Sequence, residues 1–135
     1  MVNQSDSRLI FPELSYQIMK LLFGVHNSLG NQLQEKTYQQ AFAVRLKEHS
    51  LPFQRELYLP IQDKQTQVGK YYLDFVVDSK IAIELKAKPS LTNTDIRQLL
   101  AYPQVARLKL GILVNFRTLR PTYKRVVNPS VVLLQ

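Results

Sequence analysis

The chain has no cysteine, no tryptophan and only two histidines among its 135 residues. Without cysteine it cannot form disulfide bonds or thiolate-bound zinc sites, and a reducing compartment is permitted. With only His26 and His49, a histidine-rich metal site is implausible. These absences exclude a disulfide-stapled scaffold and a protein built around cysteine-bound zinc.

Long apolar runs are also missing from the sequence. No segment is long enough to span a bilayer, and the polar N-terminus MVNQSDS is unlike a signal peptide. No internal repeat, low-complexity tract or interdomain linker is present. We therefore expect one soluble, cytoplasmic domain over residues 1–135, which is large enough to bury a core without covalent cross-links.

Acidic residues are scarce in the last fifty positions, where Asp95 is the only one. Residues 1–85 contain nine Lys or Arg and nine Asp or Glu, whereas residues 86–135 contain nine Lys or Arg, so the later residues carry the whole net charge of +8. A one-sided basic surface is typical of a protein that binds a polyanion, most often nucleic acid. No basic amphipathic helix or lipidation signal favours a membrane instead. The alternative is that the basic residues only keep a small domain soluble.

Hydrophobic periodicity predicts helices packed against a mixed sheet in the order α-α-β-β-β-α-β-β. The sequence Thr92–Asp95 is typical of a capping box that opens the third helix, and Pro103 should end or kink that helix. Residues 131–134 are expected to form a further strand or a docked tail. The other predicted elements are helices over residues 13–29 and 33–49 and strands near residues 53–60, 69–77, 81–87, 108–116 and 123–127.

The most informative segment is YYLDFVVDSKIAIELKAK, residues 71–88. Both of its halves alternate with period two, which predicts two strands that each bury one face. Successive side chains on a strand point to opposite faces, so Glu84 and Lys86 should lie side by side. The residues predicted to share the buried faces are Leu73, Phe75 and Val77 in the first strand and Ile81, Ile83 and Leu85 in the second.

The loop between these two strands decides which side chains meet. If residues 78–80 form a three-residue loop, Val77 pairs with Ile81 and Asp74 lies directly opposite Glu84. A two-residue loop would shift the register by one and turn one apolar set away from the core. The hydrophobic pattern therefore selects the register that pairs the two carboxylates.

Two carboxylates that face each other across strands repel, and such a pair is normally destabilising. A divalent cation removes this repulsion, and hard oxygen ligands suit magnesium, which takes one or two protein carboxylates and keeps several waters. The neighbouring Lys86 can then supply positive charge near a reacting phosphate. The alternative is that Lys86 simply forms an ion pair with Glu84.

The chain resembles the GxxExxY family, a small prokaryotic branch of the PD-(D/E)XK nuclease-like superfamily, in six segments of its sequence. The resemblance covers roughly residues 13–127. It implies an α/β fold with a single restriction-endonuclease-like core, in which a mixed β-sheet is flanked by helices. It also implies a metal-dependent nuclease that hydrolyses phosphodiester bonds, with DNA as the expected partner. The matching segments are ELSYQIMKLLFGVHNSLG, LQEKTYQQAFAVRL, LDFVV, IAIELKA, DIRQLLAYPQ and GILVNF.

The resemblance also implies a catalytic set. Asp74 and Glu84 match the metal-binding carboxylates, and the backbone carbonyl of Leu85 completes the ligands for Mg²⁺ or Mn²⁺. Lys86 matches the catalytic lysine, which orients water or stabilises transition-state charge. Glu35, the Glu of the naming motif, is implied to assist metal or water binding and is a further candidate ligand. Its alternative role is that of a solvated residue in the first helical turn.

A second implied set contacts the nucleic-acid strand. It contains Tyr38, the Tyr of the naming motif, together with Lys88 and Arg97, while Gln98 and Tyr102 resemble the Gln-x-x-x-Tyr element of RecB-type exonucleases. Tyr102 could instead be a core aromatic. Two other functions stay open for the whole chain, namely a non-catalytic nucleic-acid-binding module of the same fold and a protein-interaction subunit with a basic face.

Overall fold

The computed structural model describes residues 10–128, apart from the side chains of Leu100 and of residues 102–106. Within this range the order α-α-β-β-β-α-β-β is confirmed. The prediction for residues 131–134 lies outside the described residues. The elements are α1 (Pro12–Leu29), α2 (Glu35–Glu48), β1 (Phe53–Asp63), β2 (Thr66–Val77), β3 (Ile81–Lys86), α3 (Asn93–Ala106), β4 (Leu110–Asn115) and β5 (Thr122–Val127).

The strands form one mixed sheet in the order β1-β2-β3-β4-β5. All neighbours are antiparallel except β3 and β4, which are parallel and are joined by the crossover helix α3. Every residue of β4 is buried, as its continuous apolar sequence predicts for a strand covered on both faces. The predicted α/β class and mixed sheet are therefore confirmed. No helix within residues 10–128 is long and apolar enough to cross a membrane.

Helices cover both faces of this sheet and divide the core into two clusters. The face covered by α1 and α2 buries Leu22, Phe42 and Ile83 with their neighbours. The face covered by α3 buries a smaller cluster that includes Leu99. A Cβ atom added at Gly111 of β4 would lie 3.1 Å from Cγ of Leu99, so a glycine here lets α3 pack closely on the sheet. The N-terminal pair of helices and the crossover helix thus bury opposite faces.

The helix ends follow the expected chemistry with one correction. In the capping box that opens α3, the Asp95 N–H donates to Thr92 Oγ1 at 3.2 Å and the Thr92 N–H donates to Asp95 Oδ2 at 2.8 Å. The helix then continues through Pro103 to Ala106, so Pro103 does not end it, and the alternative that it kinks the helix stays a prediction. Proline removes one backbone hydrogen bond and its ring crowds the preceding turn, yet α3 continues and packs against β4 and β5.

The predicted alternation along β2 breaks near its middle. Phe75 and Val77 pack on the α1–α2 side as expected, but Leu73 packs in the cluster beneath α3. The prediction of one shared face is therefore wrong for Leu73. On the partner strand, Glu56 has a left-handed backbone with φ +52°, and the paired register passes over it and Asp74. This backbone rotates the two-stranded ribbon, so the apolar side chains beyond it that pack toward α3 are Leu57, Leu59, Tyr71 and Leu73.

Candidate functional site

The β2–β3 hairpin has the register that the apolar pattern predicts. Val77 pairs with Ile81, so residues 78–80 form a three-residue loop, as expected. Phe75 and Ile83 form the last backbone pair of this ladder. The next positions on the two strands are Asp74 and Glu84.

Beyond that last pair the two strands separate, and side chains replace the backbone ladder. The Asp74 N–H donates to Glu84 Oε1 at 3.0 Å, and the Leu85 N–H donates to Asp74 Oδ2 at 2.9 Å. Each carboxylate therefore accepts a hydrogen bond from a backbone N–H of the opposite strand, in the place of the backbone carbonyl that would accept it in a regular sheet. The structure brings the two predicted acids together at the point where β2 leaves β3.

Burial makes this acidic pair electrostatically costly. Glu84 is only 3% exposed and Asp74 is partly buried. Burial first, and then repulsion from Asp74, raise the pKa of Glu84 to about 8. Burial also raises the pKa of Asp74, and the charge of Glu35 adds to this although the hydrogen bond from Leu85 opposes it. The two carboxylates therefore repel each other in this buried setting.

Tyr71 is a member of this site that sequence reasoning missed. Its hydroxyl donates to Glu84 Oε2 at 3.1 Å. On a regular strand Tyr71 and Asp74, three positions apart, would face opposite sides, so alternation conceals this approach. Only the rotation of the ribbon near Glu56 brings the phenol to the acidic pair.

Lys86 ends β3 beside the acids and is partly buried. Its positive charge lowers the pKa of both Asp74 and Glu84, which places it near the pair. Its ammonium forms no hydrogen bond or ion pair with any residue in the described part of the chain. The alternative ion pair between Lys86 and Glu84 is therefore absent from this structure, and the ammonium is available to a ligand.

Glu35, at the start of α2, faces the same region. Its Oε2 accepts the Ala87 N–H at 3.4 Å, and its charge acts on Asp74. Among residues 10–128, however, no three His, Asp or Glu side chains lie close enough together to hold a metal ion. The arrangement is thus a close pair, Asp74 and Glu84, with Glu35 near Asp74 and bonded to the Ala87 N–H.

Tyr38 is fully buried, so the prediction that it contacts nucleic acid is wrong. Its hydroxyl donates to the Gly30 carbonyl at 2.6 Å and accepts the Leu33 N–H at 3.1 Å, while its ring stacks on Phe116 at 4.4 Å. Tyr38 therefore ties the loop before α2 to the core. This loop leads directly into Glu35.

Arg117 holds the same loop from the β4–β5 side. Its guanidinium donates to the carbonyls of Asn31 and Leu33, both at 2.9 Å. The preceding residue is tied to β3, because the Phe116 N–H donates to the Lys86 carbonyl at 2.9 Å. The loop and the end of β3 are thus held by one connected set of bonds, which no local sequence pattern signals.

The remaining residues predicted to contact nucleic acid lie on α3 or, in the case of Lys88, shortly before it. Lys88 Nζ donates to the carboxylate of Asp95 at 2.8 and 3.0 Å, so its ammonium already has a partner. Arg97 and Gln98 are exposed to solvent on α3. Tyr102 belongs to α3, but its side chain lies outside the described residues. No bond to the acidic pair is seen for Arg97 or Gln98 within the described part.

Comparisons with known proteins agree with this architecture. A family model described as the PD-(D/E)XK nuclease superfamily matches residues 12–126. The crystal structure of SSO0001 is similar with a TM-score of 0.54 and 19% identity, covering 70% of this chain. The match covers 50% of that protein, so this chain spans about half its length, and the likeness shows the fold. No curated protein matches the sequence.

Proposed function

The chain belongs to the PD-(D/E)XK nuclease superfamily, and we propose that it is a metal-dependent nuclease that hydrolyses phosphodiester bonds in DNA. One observation carries this proposal, namely the Asp74–Glu84 pair at the strand opening with the Lys86 ammonium beside it, which has no partner among the described residues. Structural ion-pair clusters usually satisfy their own charges, whereas this one has two acids with raised pKa values. We also propose membership of the GxxExxY branch and a single cytoplasmic domain over residues 1–135.

The donor set fits a hard divalent cation. Magnesium and manganese prefer oxygen ligands, and magnesium needs only one or two protein carboxylates because it keeps waters and substrate oxygens as the other ligands. Asp74 and Glu84 supply those carboxylates. The Leu85 N–H points to Asp74, and the N–H and C=O of one strand residue face the same edge, so its carbonyl is a suitable third donor.

When bound, the cation would supply positive charge to the phosphate and lower the pKa of a water molecule. The residues of the chain divide the remaining work in this proposal. Lys86 stabilises the negative charge that develops on the phosphate oxygens, because no residue in the described part of the chain competes for its ammonium. Glu35 accepts a hydrogen bond from the attacking water and so assists metal or water binding from the second helix.

Positive charge after residue 85 supports a polyanionic substrate. Arg97, Gln98 and Tyr102 on α3 are proposed to contact the strand. Lys88 would make a weaker contact, because Asp95 already binds its ammonium. Since no base-reading device is visible, binding should depend mainly on phosphates and weaken as salt increases.

Incubation with single- and double-stranded DNA and RNA, in magnesium, manganese or chelator, tests this function. We expect DNA to be cut with either metal and to stay intact with chelator. Asp74→Asn should abolish cleavage, whereas the matched change Asp78→Asn, in the exposed hairpin loop, should not. Nucleic-acid binding without metal-dependent cleavage would favour the non-catalytic module. No binding at all would favour the protein-interaction subunit.

A further inference from the structure

The half of the β1–β2 ribbon that lies beyond Asp74 projects from the sheet. Strand β2 pairs with β3 only at Phe75, Val76 and Val77, and β1 is an edge strand of the described sheet. One face of this ribbon packs toward α3 through Leu59 and Leu73. On the opposite face Tyr58 and Tyr72 stay about half exposed, so no helix among residues 10–128 covers them.

Two tyrosines occupy that uncovered face. Tyr58 and Tyr72 are direct cross-strand partners, and their ring centroids lie 5.6 Å apart with an angle of 61° between the planes. They are 45% and 49% exposed. Gln67 Nε2 donates to the Tyr58 hydroxyl at 2.5 Å, and Lys70 Nζ lies 5.9 Å from the Tyr72 ring centroid. The rings are thus held by neighbours but remain accessible.

We propose that Tyr58, Tyr72 and Lys70 form a binding site for an unpaired nucleotide, whose base stacks on an exposed ring while Lys70 contacts its phosphate. Exposed aromatic side chains beside a cation are the chemistry that binds single-stranded nucleic acid, because every base has a face that can stack. The site rests on the proposed nucleic-acid substrate but not on cleavage.

The position of the tyrosines relative to the acidic pair argues for a nucleotide as the occupant. Tyr72 precedes Asp74 by two residues, which corresponds to about 7 Å along an extended strand. Before Phe75, β2 has no backbone pairing with β3, so a strand whose phosphate lies at Asp74 and Glu84 can pass along this open edge and bring a neighbouring nucleotide to the tyrosines. Bases inside a duplex are already stacked and paired, so the site selects single strands, overhangs or frayed ends.

Binding measured in chelator tests this site without any cleavage. The probes are a fluorescein-labelled single-stranded oligodeoxynucleotide, the same strand in a blunt duplex, and a single strand that carries 2-aminopurine. We expect Tyr72→Ala or Tyr58→Ala to weaken single-strand binding about five- to 150-fold and to leave duplex binding nearly unchanged. In the same alanine variants, the protein should no longer quench the fluorescence of 2-aminopurine.

Two matched variants control for general effects. Tyr72→Phe keeps the ring and should bind as wild type, which also covers the case in which an alanine variant fails to fold. Tyr16→Ala removes another tyrosine, which is 70% exposed on α1, and should change neither affinity.

The remaining outcomes separate this inference from the nuclease proposal. Unchanged single-strand affinity in both alanine variants, or equal losses for single strand and duplex, would overturn the site. A change in oligomeric state by light scattering, with affinity unchanged, would also overturn it and identify the face as an interface between copies. Wild type that binds no nucleic acid overturns both proposals. Intact single-strand binding without metal-dependent cleavage overturns only the nuclease, and the nucleotide site stands.

Discussion

Lys86 ends β3 and Lys88 follows it by two residues, but their ammonium groups have different surroundings. The Lys88 ammonium binds both oxygens of Asp95, which also caps α3. The Lys86 ammonium has no such partner within residues 10–128, although two acids lie near it. One cluster satisfies its own charges, and the other keeps them available.

The acids in the two clusters differ in the same way. Burial alone would raise the pKa of Asp95, but hydrogen bonds from Lys88 and Thr92 outweigh it and hold that pKa below its ordinary value. Burial and a second carboxylate instead raise the pKa of Glu84. The α3 cluster therefore stabilises the fold, whereas the strand opening is suited to a bound cation.

The largest expected effect is on the cleavage rate, which should depend on Lys86 and not on Lys88. Lys86→Ala should lower the single-turnover rate at saturating DNA about a hundred- to a thousandfold, because one contact to transition-state charge is lost. Lys88→Ala should leave that rate nearly unchanged. Metal binding, followed by the rise in melting temperature with added magnesium, should persist in Lys86→Ala.

Asp74→Ala provides the contrast for the lysine variants. It should remove both cleavage and the magnesium-dependent rise in melting temperature, since a site with two carboxylates cannot lose one. Equal rate losses in the Lys86 and Lys88 variants would contradict the division into two clusters.

The next effect concerns stability, and here the larger loss is expected in the α3 cluster and not at the strand opening. Asp95→Ala should reduce the free energy of unfolding by about 2 kcal/mol, because it removes a helix cap and charge-assisted hydrogen bonds. Urea denaturation in chelator measures this change. Asp74→Ala, examined in the same way, should cost less or even stabilise, because it relieves repulsion at Glu84. A larger loss in Asp74→Ala than in Asp95→Ala would refute the comparison.

The pH dependence of the metal-free protein should carry opposite signs for the two clusters. The pKa of Glu84 rises from 4.5 to about 8 on folding, so its stabilising contribution is complete below pH 4.5 and is lost as the pH rises toward 8. The lowered pKa of Asp95 gives stability that is present above pH 3.8 and is lost as the pH falls through the folded value.

Melting temperatures in chelator across this range test both signs. Glu84→Gln should flatten the decline between pH 4.5 and 8, while Asp95→Asn should keep that decline and remove the acid-side loss. A wild-type melting temperature that rises steadily toward pH 8 would be inconsistent with a raised pKa at Glu84.

The smallest effect concerns the loop that holds Glu35. Tyr38→Phe keeps the stacked ring but removes two hydrogen bonds, so unfolding should become easier by about 1 kcal/mol. If the hydroxyl also positions Glu35, the cleavage rate should fall while DNA affinity stays constant. Tyr16→Phe is the matched control, since this tyrosine lies on α1 and its side chain is exposed. Reduced DNA affinity without a rate change would return Tyr38 to the strand-binding set.

Much of the fold and the register of the acidic pair could be predicted from the sequence because both depend on local rules. Period two identifies β2 and β3, and the buried sets on either side of residues 78–80 permit only one loop length. Once that register holds, Asp74 must meet Glu84. The capping box and the doubly buried β4 followed from equally local patterns.

Tertiary structure alone decided the surroundings of these residues. The sequence predicts that Tyr38 contacts nucleic acid at the surface. In the structure its ring is buried against Phe116, which is distant in the chain. The left-handed backbone at Glu56 turned Leu73 toward α3 and brought Tyr71 to Glu84. Spacing and residue type determine which side chains share a strand, whereas their partners depend on twist and on contacts between distant segments, which no local pattern contains.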